Sequence, residues 1–131
     1  MQFSNFTPKQ GPSHGTATYT FMELDGEPSL EVRPATRANK EYFNALLRRM
    51  GKLRKSLERG DMTVEMIEKQ ERLVRDLYAQ HVIVALVGWT DAEGNEVEST
   101  SETIKALMEQ LPDAQFEDLA EFVGDEDNFR G

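Results

Sequence analysis

The stretch LYAQHVIVALVGWTDAEGN, residues 77–95, decides how the two halves of this chain are joined. It begins as the end of a helical pattern, becomes a continuous apolar run over residues 82–87, and closes on Trp89 and a polar turn. A short apolar run suits either the last turns of a buried helix or a buried strand, and periodicity does not separate the two. We expect helix to about Ala85, with Gly88 breaking it.

Upstream of this stretch, the apolar spacing predicts two helices joined by a short loop. In residues 36–59 the apolar side chains recur at steps of three and four and form one stripe: Tyr42, Phe43, Leu46, Leu47, Met50, Leu53 and Leu57. Gly51, inside that helix, implies close packing or a bend. We expect Gly60 to cap its end and Thr63 to start the second helix. The short loop predicts an antiparallel pair.

A β-hairpin is predicted nearer the N-terminus, in residues 16–34. Threonines alternate there with apolar residues at the two-residue period of a half-buried strand. Asp25 and Gly26 mark the turn, because both residue types tolerate a positive φ angle. Pro34 should end the returning strand, since proline has no amide hydrogen to donate.

Two short helices are predicted downstream, in residues 99–124. Ser99 and Glu102 have the spacing of a capping box for the first of them, and Pro112 should end it. Asp113 is then expected to cap the second.

The two ends of the chain lie outside these predicted elements. Residues 1–15 contain two prolines and two glycines and predict an irregular leader, whose Phe3 and Phe6 either pack on the core or contact a partner. Residues 125–131 form an acidic tail, in which Phe129 is exposed unless the tail folds back.

These elements predict one α+β domain, mainly α, over residues 16–124. It would hold an N-terminal β-hairpin over 16–34, an antiparallel helical pair over 36–88, and two short C-terminal helices over 99–124. At 131 residues, a single core of modest size is expected.

Composition restricts the class of protein. The chain has no cysteine, which excludes disulfides, thiolate zinc sites and a cysteine nucleophile. It has no apolar run near the ~20 residues of a membrane span and no signal-peptide pattern at its start. We therefore expect a soluble, intracellular protein.

Charge is distributed unevenly along the chain. The net charge of −9 divides into −3 for residues 1–32, +7 for residues 33–59, −2 for residues 60–90 and −11 for residues 91–131. Two interpretations stay open. The charged blocks are either solvated faces that attract each other within the fold, or a bipolar surface that docks with a second copy.

A calcium loop is one candidate site, in residues 91–102. Acidic and polar residues fall at the liganding positions, but the sixth position requires glycine and holds Glu96. We therefore predict no metal site and no other cofactor.

The basic first helix is a candidate for binding nucleic acid, because it could contact phosphates through eight bases: Arg37, Lys40, Arg48, Arg49, Lys52, Arg54, Lys55 and Arg59. The strongly acidic final segment and the absence of a recognition motif argue against this function.

No catalytic constellation is visible in the sequence. His14 lies in the leader, and His81 falls on a core-facing helical stripe, where a structural histidine is the better interpretation. No serine or threonine sits in a nucleophile motif. We expect a protein that is not an enzyme.

The region from Leu73 to Arg130 resembles the tail assembly chaperones of long-tailed bacteriophages. An ordered series of short features carries the resemblance: AlaGlnHisVal at 79–82, GlyTrp at 88–89, AspAlaGluGlyAsn at 91–95, a Ser/Thr cap, a helix ending in LeuPro, Phe116 with Leu119, and AspAsnPhe at 127–129.

The resemblance implies a chaperone that binds and solubilises the tape measure protein and helps recruit tail tube subunits. It implies work in the host cell cytoplasm during assembly, as a homo-oligomer in a ring or spiral. Our own hypothesis is that the +7 and −11 segments mediate stacking of the subunits. On this interpretation, apolar and aromatic residues would meet partners: Trp89, Phe43, Leu47, Met50, Phe122 and Phe129. For Trp89 a core role is the other interpretation. The competing function is a small acidic phage protein that inhibits a host nucleic-acid-handling or defence factor.

Overall fold

The computed structural model describes residues 15–58 and 63–130, without the side chains of 56–58. The predicted α+β, mainly helical architecture is confirmed. In chain order the elements are β1 (Ala17–Thr20), β2 (Ser29–Val32), α1 (Lys40–Glu58), α2 (Val64–His81), β3 (Ile83–Val87), α3 (Ser101–Gln110), α4 (Asp113–Val123) and a 3-10 helix (Glu126–Phe129). Residues 1–14 of the predicted leader and the predicted cap at Gly60 lie outside the described residues.

The predicted hairpin forms the first two strands of an antiparallel sheet with the order β1-β2-β3. Tyr19 faces Leu30 across the first pair, and Leu30 faces Leu86 across the second. The connection between β1 and β2 is longer than a two-residue turn, and Gly26 adopts a φ of +80° within it. One sheet face is buried against the helices, and the other carries hydroxyl and carboxyl groups.

The third strand corrects the prediction of a helix to Ala85, and with it the helical pair to residue 88. α2 ends at His81, and β3 pairs with β2 through a register shift between Glu31 and Val32. The shift leaves an extra residue on β3, so residues three apart share a face. Ile83 and Leu86 are buried whereas Val84 and Val87 are exposed. A spacing of three imitates a helix, which explains the wrong prediction.

The two long helices are fixed to each other by the buried Asn39. Its Oδ1 accepts from the amide of Tyr42 at 3.3 Å, which makes it the N-cap of α1. Its Nδ2 donates to the carbonyl of His81 at 2.8 Å, at the other helix's end. Thr63 caps α2 as predicted. Nothing described lies within 4 Å of a Cβ built at Gly51, so no close approach explains that glycine.

Both predicted caps of the C-terminal helices are wrong. Thr100 and Thr103 form the capping box of α3. Ser99 instead bonds the outer edge of β3, where its Oγ accepts from the amide of Leu86 and donates to the carbonyl of the same residue. Pro112 occupies the N-cap of α4, so Asp113 is the first residue inside the helix, and its carboxylate pairs with Arg75 at 2.9 Å.

The core lies between the sheet and the four helices. Its fully buried side chains come from most elements: Phe21, Leu30, Val32, Leu77, Val82, Met108, Leu119 and Val123. The tail folds back onto this core, and Phe129 is only 5% exposed. In the described part of the chain, no helix is long and apolar enough to cross a membrane.

Candidate partner-binding site

Three of the six predicted partner-binding residues share one flank of α1. Phe43, Leu47 and Met50 are spaced by four and three residues, which places them on one side of the helix. Leu47 is 57% exposed, whereas Phe43 and Met50 are half-buried. The guanidinium of Arg37 lies 5.7 Å from the centre of the Phe43 ring and covers part of it. This α1 apolar flank therefore presents mainly the Leu47 side chain to solvent.

The other three predicted residues belong to a run of packed aromatic rings. Trp89 packs edge-on against Phe21, with ring centres 5.4 Å apart, and its Nε1 donates to the carbonyl of Ser29 at 2.9 Å. Phe122 lies 5.1 Å from Tyr19 and 6.0 Å from Phe129.

These contacts give the three aromatic side chains a packing role. Trp89 and Phe122 keep some exposed surface, whereas the ring of Phe129 is buried in the core. Contact of any of the six residues with a partner stays a prediction.

A groove of about 1060 Å³ lies between α1, α2 and α3, on the other flank of α1. Its floor is apolar, formed by the half-buried Leu53, Met66 and Leu73. Its rim carries five exposed cations that form no ion pair with any described side chain: Arg48, Lys52, Lys69, Arg72 and Lys105. We call this feature the cationic groove.

Two further arginines of the cationic groove are already engaged. Arg49 pairs with Asp76 at 2.6 Å and links α1 to α2. Arg75 donates to the carbonyls of Met108 and Leu111 and lies over the ring of Phe116. Glu109 is the other acid in the lining, so the positive charge of the rim is mostly uncompensated.

An acidic surface lies elsewhere, around α4 and the neighbouring hairpin. Burial first, and then the carboxylates of Asp118, Glu23 and Glu121, raise the pKa of Tyr19 above its usual value. Negative charges near a phenol disfavour the phenolate, so the contribution of these three carboxylates to the shift indicates a negative potential there. The described part of the chain therefore carries both a cationic groove and an acidic surface.

The polar turn after Trp89 is held by its own side chains. Asp91 Oδ1 accepts from the amides of Glu93 and Asn95, both at 2.9 Å, and Gly94 has a φ of +84°. Within residues 15–58 and 63–130, no group of three or more His, Asp or Glu side chains is placed to hold a metal ion.

Sequence reasoning found the α1 half of the cationic groove but missed the rest. Lys69 and Arg72 lie in a segment whose net charge is −2, and Lys105 lies in one whose net charge is −11. Summing charge along the chain hides cations that folding brings together. The helical period of α2, which places Met66, Lys69 and Leu73 on one side, was the available signal.

Comparison with known protein families gives a match to most of the chain. A family model described as "YdaY prophage protein" matches residues 37–126, which is well over half of the chain. Comparisons with curated proteins and with solved structures give no match. The matched range runs from just before α1 into the 3-10 helix, so it includes every element that builds the cationic groove. The chain belongs to the YdaY prophage protein family and is a phage-derived protein.

Proposed function

We propose that this chain is a tail assembly chaperone. It binds and solubilises the tape measure protein and helps recruit tail tube subunits, in the host cell cytoplasm during phage assembly. It acts by contact and needs neither a cofactor nor catalytic chemistry. Membership of a prophage protein family supports a role in the phage life cycle. The resemblance over Leu73 to Arg130 supports tail assembly within it.

The observation that carries the proposal is the α1 apolar flank. Leu47 is 57% exposed on a regular helix, beside the half-buried Phe43 and Met50. Apolar residues at steps of three and four are what one helix offers to another across an interface. Burying such side chains stabilises a complex by roughly 25 cal/mol per Å² of apolar surface. A tape measure protein is long and helical, so it supplies matching faces.

Assembly with further copies is part of the proposal. The acidic surface around α4 and the exposed bases of α1 carry opposite charge, which supports stacking of one copy on the next. Sedimentation of the chain at low and high salt tests this part. A monomer under both conditions at high protein concentration would exclude stacking.

The test of the binding surface is co-purification with the tape measure protein of the same prophage. Leu47→Glu places a charge on the α1 apolar flank, and we expect at least about tenfold less co-purified partner. Met22→Glu is the matched control, because Met22 is 73% exposed but lies in the β1–β2 connection. Equal recovery with both variants would show that the flank is not the contact surface.

The acidic surface favours one alternative function, inhibition of a host factor that handles nucleic acid. An acidic face competes with DNA or RNA for a basic site. In the same experiment, salt-sensitive capture of such a host enzyme, without the tape measure protein, would favour this alternative.

A further inference from the structure

The cationic groove combines two properties that a single ligand must match. Its rim is positive, and its floor is apolar. We propose that the groove binds an acidic amphipathic helix of another protein. The proposal rests on the groove alone and stands whether or not that protein is a tape measure protein.

The rim requires a negatively charged ligand. Arg48 and Lys52 project from α1, Lys69 and Arg72 from α2, and Lys105 from α3, so cations border the groove on three elements. All five are exposed and form no ion pair with a described side chain. Several like charges around one groove raise the local concentration of an acidic ligand and speed its association.

The floor requires apolar groups on the same ligand. Leu53, Met66 and Leu73 are half-buried, and they remain partly in contact with water unless a ligand covers them. A phosphate or nucleic-acid backbone would satisfy the rim but leave the floor uncovered. Methionine adapts to ligands of different shape, as it does on other helix-binding surfaces.

The size of the groove suits a helix. Its volume is about 1060 Å³. A space of this volume holds roughly two to three turns of a helix that is about 10 Å wide with a 5.4 Å pitch. The helix α2 packs against both α1 and α3, so the ligand would lie along α2 as a further helix.

A second copy of this chain matches only the rim. The large exposed side chains of α4 are acidic, namely Asp113, Glu117, Asp118 and Glu121, whereas Phe116, Leu119 and Phe122 are half-buried or buried in their own core. The acidic surface therefore has no apolar stripe to place on the floor. Residues 1–14 contain no acid and do not match the rim.

The test uses synthetic helical peptides of about 20 residues, a length at which isolated helices form. The probe carries leucines at steps of three and four and glutamates on the remaining faces, with a fluorescein label. Three controls separate the two requirements. One scrambles the leucines, one replaces them by serine, and one replaces the glutamates by glutamine. We expect the probe to bind, by fluorescence anisotropy, at least about tenfold more tightly than each control.

Charge reversal locates the binding site. The double variant Lys69→Glu, Arg72→Glu should weaken binding of the probe about tenfold or more. The double variant Arg33→Glu, Lys40→Glu makes the same change in net charge at exposed positions outside the groove. It should weaken binding of the probe less than about threefold. Circular dichroism shows whether both pairs fold. Equal weakening by both pairs would overturn the proposal, because binding would then follow net charge alone.

Two further outcomes would also overturn it. Equal affinity for the serine control would show that the floor is not used. The free chain could instead self-associate, and the double variant Lys69→Glu, Arg72→Glu could abolish that self-association. This result would assign the groove to a second copy. Binding of the probe to a monomer, with loss only in the groove variant, would support the proposal, even if co-purification with the tape measure protein failed.

Discussion

Arg75 on α2 donates from Nη1 to the carbonyl oxygen of Leu111, at the end of α3, over 2.6 Å. The same nitrogen reaches the carbonyl of Met108 at 2.7 Å, and Nη2 pairs with Asp113 at 2.9 Å. The guanidinium also lies 4.5 Å from the centre of the Phe116 ring. The Arg75 guanidinium thus caps the negative C-terminal end of α3 and holds the junction of α3 and α4 against α2.

Replacing Arg75 by alanine should destabilise the fold by about 2 to 4 kcal/mol. The side chain is only 13% exposed, so water would not fully replace it at the two carbonyls. Urea unfolding followed by circular dichroism gives the free energy of unfolding.

Two controls separate the contributions of Arg75. Arg75→Lys keeps the charge but loses the fork, and should fall between wild type and alanine. Asp113→Ala should lower stability by less than about 1 kcal/mol, because the Asp113 side chain is 87% exposed. If Asp113→Ala were as damaging as Arg75→Ala, the carbonyl contacts would not be the stabilising ones.

Asn39→Ala should destabilise the protein by about 1 to 3 kcal/mol. The substitution removes the N-cap of α1 and leaves the carbonyl of His81 without its donor. Asn39→Asp is the matched test, since it keeps the acceptor for Tyr42 but turns the donor into a second acceptor. Thermal unfolding should rank wild type above both variants. Full stability of Asn39→Asp would mean that the contact with His81 contributes nothing.

Substitution by alanine should change the stability in opposite directions at two glycines. Gly51 lies inside α1 with open space at its Cβ position, so Gly51→Ala should stabilise by up to about 1 kcal/mol. Gly88 has a φ of +76°, which a side chain disfavours, so Gly88→Ala should destabilise by about 1 kcal/mol or more. Urea unfolding measures both. A loss of stability in Gly51→Ala would reveal a packing demand on α1.

High pH should destabilise the protein through its buried tyrosines. Burial, and then the neighbouring Tyr42, raise the pKa of Tyr78 well above its usual value near 10. In the unfolded chain Tyr78 ionises near pH 10, whereas the folded state keeps it neutral. Its stabilising contribution is therefore complete below about pH 10 and is lost as pH rises further.

The free energy of unfolding, measured from pH 8 to pH 11, should fall less in Tyr78→Phe than in wild type. Absorbance near 295 nm reports phenolate and should appear together with unfolding. An equal decrease in both proteins would show that Tyr78 does not couple stability to pH.

Local patterns in the sequence predicted the α+β architecture, the hairpin, the helical pair and the cap at Thr63, because each depends on neighbours along the chain. They failed where a contact between distant residues decides. The cap of α3 is Thr100, one residue after Ser99, whose hydroxyl bonds the open edge of β3 at Leu86. Asp113 is the first residue of α4, and its carboxylate pairs with Arg75.

The candidate site was likewise predictable from the sequence only in part. The stripe with Phe43 and Leu47 was readable from helical spacing, but the exposure of Leu47 was not, because it depends on where neighbouring elements lie. The positive charge of the cationic groove was not readable from the sequence, because its cations come from three helices that only the fold brings together.

The proposed chaperone function requires this chain to keep the tape measure protein soluble. The direct measurement is the soluble fraction of the same prophage's tape measure protein, expressed with wild-type chain, with Leu47→Glu, or alone. We expect a soluble complex with wild type, and aggregation with Leu47→Glu or without the chain. A tape measure protein that is equally soluble in all three cases, with no complex on sedimentation, would exclude the chaperone function.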